Sequence, residues 1–268
     1  MLTPIIDSHA HYNLDPIYSD WKTFMDESVS AGVIACVIPG VDADSTMRGA
    51  KLTAQASYFR YAVGIHPVSA GEDPMPVTSQ RLNTLFDEAT ILAKPSAVGE
   101  TGLDYYHAPA DSTNRALFIQ RQQDSFVEHI RLAQDLRLPL IVHVRDTGSS
   151  AYDDVLSILK KNIPDIPVIL HCVSGSLSYV EASIALGCFV SFAGNVTYPN
   201  AQNIRDLIRL VPPDKLLIET DAPYLPPQTN RGKLCHPAYI RETAQYLQTL
   251  GVDLDQARAN SQLLFGIE

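Results

Sequence analysis

Eight short runs of β-branched and other apolar residues recur along the chain, at 5–9, 33–39, 61–65, 97–100, 140–144, 168–172, 189–192 and 216–219. Between them lie stretches with helical spacing of apolar side chains. The runs VIACVIP, LPLIVHV and PVILHC are apolar at nearly every position, the pattern of parallel strands covered on both faces. The clearest helix is expected over 113–137, where Phe126, Ile130 and Ala133 share a face while Gln123, Glu128 and Arg131 lie elsewhere. Further helices are expected at 20–31, 45–57, 79–93, 149–160, 177–186 and 201–210. Eight strand–helix units predict an α/β fold, a single (β/α)8 TIM-type barrel occupying 1–268 as one domain. The proline-rich stretches 66–76 and 222–227 each follow a strand directly and read as long loops at the barrel mouth. An open doubly wound sheet is the alternative, but the glycine-rich first turn it needs is missing after the first strand.

Composition narrows the class further. With 268 residues and 46% hydrophobic side chains, the chain has material for a sizeable core and is not intrinsically disordered. No apolar run approaches the roughly 18 residues that span a bilayer, so no membrane partner is expected. The first six residues lack the basic start and small-residue cleavage site of a secretory leader. Cys36, Cys172, Cys188 and Cys235 show no paired spacing and sit mostly in apolar runs. They read as reduced, mostly buried thiols of a cytoplasmic protein. A formal net charge of −10 argues against broad coating of duplex nucleic acid. It leaves room for a small site in which metal ions supply positive charge.

The chemistry concentrates where the strands end, which in a barrel is one mouth. Of the eight histidines, five (His9, His11, His66, His143 and His171) fall at the ends of apolar strands, joined there by Glu100 and Asp221. In IDSHAH, alternation along a strand puts Asp7, His9 and His11 on one face. Both imidazoles can then reach one ion, with Asp7 placed to orient a ring. Each residue taken singly has a bland reading: a satisfied core histidine, a rim ion pair, an Asp opening a turn. Jointly, four histidines and two acids at one mouth would be costly to desolvate without a common task, and divalent ions satisfy them all. Imidazole with carboxylate and no thiolate points to Zn, Mn, Fe, Ni or Co and admits Mg. The ligands outnumber what one tetrahedral ion needs, so two ions sharing a carboxylate is the economical arrangement. Tyr105, Tyr106 and Tyr224 lie near the mouth, where an aromatic ring can stack on an unpaired base.

The ordered set IDSHAH, GIHP (Gly64 to Pro67), GETGLDYY, HVRD, HCVSG, ETDAPYL and a closing N-x-x-x-LFG (Asn260 to Gly266) resembles the TatD-type metal-dependent deoxyribonucleases, within the amidohydrolase-like barrels, over essentially the full length. The resemblance implies that His9, His11 and Asp221 bind one divalent ion, that His143 and His171 bind a second, and that Glu100 bridges them. It implies Mg, Mn or Zn as the metal, and a non-ligand role for His66 facing the substrate phosphate. Arg145 and Arg231 are expected, mainly from charge, to contact phosphate. One departure from the family pattern stands out. After Arg231-Gly232-Lys233 many relatives carry Asn-Glu-Pro or Asn-Gln-Pro, whereas this chain reads Leu234-Cys235-His236-Pro237, setting a thiol and an imidazole beside the expected site.

The expected activity is hydrolysis of DNA phosphodiesters near strand ends, with Asp221, Glu100 and His66 as catalytic groups and no protein partner. The same ligand set would serve hydrolysis of a carboxylic ester or amide, including an aminoacyl-tRNA ester. A non-catalytic metal-dependent binding protein is the third reading.

Overall fold

The computed structural model describes residues 3–148, 150–162 and 165–268. Eight parallel strands pair in sequence order: β1 Ile5–Asp7, β2 Val33–Ile38, β3 Phe59–Val63, β4 Ala97–Asp104, β5 Leu140–Arg145, β6 Val168–Leu170, β7 Phe189–Phe192 and β8 Leu216–Ile218. The helices are α1 Trp21–Ser30, α2 Ala43–Gln55, α3 Pro67–Glu72, α4 Ser79–Thr90, α5 Ser112–Leu136, α6 Ser150–Asn162, α7 Leu177–Ala185, α8 Gln202–Ile208, α9 Ile240–Thr249 and α10 Leu254–Phe265. This is a (β/α)8 barrel. The expected helix at 149–160 begins at a residue outside those described. Stretch 66–76 is not wholly a loop: α3 occupies its first half, because proline at the first helical position has its φ preset and no amide to satisfy.

Alternation sorts each strand into two cores. Ala35 and Val37 on β2 join Ile6, Ala62, Ile141, Ile169, Phe189 and Leu217 in a cluster closed by Leu264, Phe265 and Ile267 of the C-terminal segment. Cys36 and Ile38 belong to the larger cluster that includes residues of the surrounding helices. The Asn260 amide donates to Pro213 O and Leu216 O at 2.8 and 2.9 Å, tying α10 to the start of β8. That contact explains why an asparagine precedes the closing LFG.

The seam between β8 and β1 is closed by main-chain and side-chain hydrogen bonds together. Ser8 N donates to Ile218 O at 3.0 Å. Asp7 accepts from Thr220 N (3.0 Å), Thr220 Oγ1 (2.7 Å) and His9 N (3.2 Å). Asp7 therefore does not orient an imidazole, contrary to the sequence expectation: both oxygens are engaged in holding the barrel shut. Burial pushes its carboxyl up to about 8 against those three donors.

Candidate metal centre

β1 ends at Asp7, so strand alternation does not present His9 and His11. The segment beyond is instead pinned between two neighbours. Ala10 N donates to Val37 O at 3.0 Å, Asp221 N to His9 O at 2.9 Å and His11 N to Ala222 O at 2.7 Å. His9 Nε2 and His11 Nε2 converge to 3.3 Å. Asp221 Oδ1 lies 3.6 and 3.3 Å from them, carried on a residue with φ 56°.

Glu100 reaches the same point from β4 because that strand breaks register between Val98 and Thr101. At the break Gly99 adopts φ 139°, a conformation closed to residues with a Cβ. Gly40 N donates to Gly99 O (3.0 Å) and Glu100 N to Gly40 O (2.8 Å). A Cβ on Gly64 would collide with the Gly99 carbonyl and the Glu100 amide. The glycines of GIHP and GETG are thus one device that lets two backbones touch and sets Glu100, almost fully buried, among the histidines.

The two oxygens of Glu100 face different imidazole pairs. Oε2 lies 3.5 Å from His9 Nε2 and 3.8 Å from His11 Nε2. Oε1 lies 3.0 Å from His143 Nδ1 and 2.8 Å from His171 Nε2, which are 3.0 Å from each other. Two clusters of donor atoms result, His9–His11–Glu100 and Glu100–His143–His171, sharing the carboxylate. Burial alone would raise the Glu100 pKa, but the imidazoles of His171, His9 and His66 hold it well below the usual carboxylate range.

Behind the imidazoles stand two carboxylates whose roles sequence reading missed, although both lie within the quoted motifs. Asp104 Oδ2 is 3.2 Å from His143 Nε2 and 2.8 Å from His107 Nδ1, which fixes His143 to turn Nδ1 toward Glu100. Glu219 Oε1 is 3.4 Å from His171 Nδ1, and its other oxygen accepts from Ser191 Oγ at 2.5 Å. Burial pulls His143 and His171 down, yet Asp104, Glu100 and Glu219 outweigh it and hold both above the ordinary histidine value. A pocket with four carboxylates and converging imidazole nitrogens calls for cations. Glu100 Oε2 is buried without a hydrogen-bond partner, as a metal-ligating oxygen would be. The residues present fit divalent ions.

His66 caps α3: its Nδ1 accepts the Val68 amide at 3.1 Å. The ring proton therefore sits on Nε2, which lies 3.6 Å from Glu100 Oε1. Burial pulls this imidazole down to about 3, so it is a neutral donor. Arg145 stacks on Tyr106 at 4.2 Å and Arg231 on Tyr198 at 4.5 Å. Among the described residues neither guanidinium has an ion pair or a side-chain hydrogen bond. Tyr224 is half-exposed and meets the His11 ring edge-on at 5.9 Å. Tyr105 is buried with its hydroxyl on Asp154 at 2.8 Å, so it offers no stacking face. His236 caps the turn Pro237–Tyr239 through Nδ1, faces Glu27 at 2.9 Å and stacks on Phe24. Cys235 is buried and free, like Cys36 and Cys188. Among the described residues neither Cys235 nor His236 joins a donor cluster.

Fold, pocket and comparisons together define the class: a barrel-type metal-dependent hydrolase. The chain belongs to the TatD-related DNase family, whose model matches residues 6–263. It is 32% identical over 257 residues to the uncharacterized metal-dependent hydrolase YcfH of Escherichia coli K12, covering 94% of this chain and 90% of that protein. It is 31% identical to the uncharacterized metal-dependent hydrolase YabD of Bacillus subtilis 168 over 249 residues, 92% of this chain and 91% of that one. The crystal structure of YjjV, a TatD homologue from E. coli K12, superposes with TM-score 0.85 at 28% identity, covering 98% of each chain.

Proposed function

We propose that this chain, one hydrolase domain over 1–268, is a cytoplasmic deoxyribonuclease that hydrolyses DNA phosphodiesters near strand ends. Two divalent ions, Mg, Mn or Zn, would be held by His9, His11 and Asp221 on one side and His143 and His171 on the other, with Glu100 between them. The observation that carries this reading is the division of the Glu100 oxygens between two imidazole pairs. Such ions supply Lewis-acid activation of a water for in-line attack and neutralise charge on the phosphate.

The chain's own groups do the rest. Asp221, with Oδ1 turned to His9 and His11, takes the attacking water's proton and passes it to the leaving oxygen. The His66 Nε2–H donates to the phosphate oxygen that gains charge. Arg145 and Arg231 hold the flanking phosphates, since a guanidinium stacked on a tyrosine keeps its in-plane donors free. In an acidic chain, two arginines that have no ion pair among the described residues, each stacked on a tyrosine, favour a phosphate substrate over a neutral ester. Tyr224 and Tyr106 are placed to stack on an unpaired base.

Glu100→Ala is expected to abolish metal-dependent cleavage of single-stranded DNA while the thermal melt and circular dichroism keep a folded barrel. Unchanged turnover would overturn the proposal. Parallel assays on charged tRNA and p-nitrophenyl esters separate substrate from chemistry: turnover there without DNA cleavage keeps the metal site and rejects the nuclease.

A further inference from the structure

Helix α5 carries a buried polar stripe that no amphipathic reading assigns a role: Gln122, Ser125 and His129, on the same face as Phe126, Ile130 and Ala133. Both long members of the stripe bond main chain at the barrel mouth. Gln122 pairs with both backbone groups of Asp104, accepting from its N at 2.8 Å and donating to its O at 3.0 Å. His129 donates from Nδ1 to Ser125 O at 2.7 Å and accepts the Ile65 amide on Nε2 at 3.0 Å. Ile65 immediately precedes His66, whose own amide donates to Val41 O at 2.9 Å and whose ring caps α3. The chain from β3 into α3 is thus fixed by consecutive amides, one held by α5 and one by the loop after β2.

We propose that His129 is a positioning residue for the reaction: by holding the Ile65 amide it sets the direction of the β3 exit and keeps His66 as an Nε2–H donor aimed at the pocket. This rests on the role given to His66 above. The geometry has a specific consequence. If the Ile65 amide loses its acceptor, a buried N–H is left unpaired, and the strand exit shifts to find another partner. The His66 ring then leaves its cap on Val68 and either nitrogen can carry the proton. A displacement of about 1 Å at a catalytic group is enough to cost up to about a hundredfold in rate.

Two amide substitutions separate the two contacts of His129. His129→Asn places its amide near the Nδ1 position, so it keeps the bond to Ser125 O and falls short of Ile65. His129→Gln reaches the Nε2 position and restores the acceptor. The protein is labelled with 15N-histidine and loaded with magnesium, and long-range proton–nitrogen correlation reads which nitrogen of His66 is protonated. The expected results are a single Nε2–H tautomer in the wild type, a mixture in His129→Asn and the single tautomer again in His129→Gln. On single-stranded DNA, kcat/KM is expected to fall about tenfold to a hundredfold in His129→Asn and to recover in His129→Gln. In a His66→Ala background the asparagine substitution should then cost nothing further. An unchanged His66 tautomer in His129→Asn, or a rate loss that adds in full to His66→Ala, overturns the proposal. If the asparagine variant does not fold, His129→Leu, which has no acceptor, is held to the same criteria. The tautomer readout needs no DNA cleavage, so it decides the positioning role even if the nuclease assignment fails.

Discussion

Single residues carry most of the chemistry here, and their legibility depended on where they lie. Six candidate ligands stood out because imidazoles and carboxylates at the ends of apolar strands have no cheap alternative explanation. Asp104 and Glu219 were in plain view within the motifs, yet nothing in spacing says that a carboxylate will back a histidine and not face the pocket. Gln122 and His129 were invisible, because a polar residue on a helix reads as solvated until the helix is docked. Arg145 and Arg231 give a direct test: replacing either by alanine should raise KM for single-stranded oligonucleotides with little change in kcat. Each replacement should also reduce the slope of log affinity against log salt by about 0.7; an unchanged slope means they touch no phosphate. His129 gives a second test, in stability. Burial pulls it to about 4 in the folded chain, against about 6.5 when unfolded. Below pH 6.5 the unfolded chain binds a proton that the folded chain refuses, so stability falls as pH drops toward 4. The loss at this site is about 3 kcal/mol. Urea titrations should show His129→Gln losing less stability over that range than wild type; parallel curves would contradict the assignment.

At the scale of elements, the number and order of strands followed from apolar runs, while their ends did not. β4 was expected to stop at Glu100. It continues to Asp104, since Gly99 and Gly102 permit a bulge and leave the pairing with β5 intact beyond it. Helices α3, α9 and α10 went unassigned, α3 because proline density reads as loop. The two His-Pro dipeptides share one construction: each imidazole accepts the amide two residues on, which fixes its tautomer and aims Nε2 outward from the helix start. One of these rings points at the pocket and the other at Glu27, a difference that sequence alone does not contain. The β3–β4 contact is the element on which the site depends most. Gly64→Ala should destabilise the fold by about 1–3 kcal/mol in urea and weaken metal binding with it. Gly148→Ala, where a Cβ meets nothing, should do neither. Native stability and metal content in Gly64→Ala would show that the contact does not place Glu100.

For the whole molecule, the barrel was readable from eight alternating units, but its closure was not. No spacing rule foretells that Asp7 would bind Thr220 across the β8–β1 seam and so set His9 beside Asp221. Closure is what converts residues far apart in sequence into one pocket, and the glycine bulge in β4 then drops a single carboxylate between its halves. Because the chain's net charge is −10, cations held at that pocket would supply positive potential for a phosphate-bearing substrate. The most direct test is an anomalous-scattering map of the barrel mouth, from crystals of protein purified without chelator and grown with manganese. Two peaks are expected, one on each side of the Glu100 carboxylate, the first against His9, His11 and Asp221 and the second against His143 and His171. A single peak, or peaks away from Glu100, would contradict the shared-carboxylate centre.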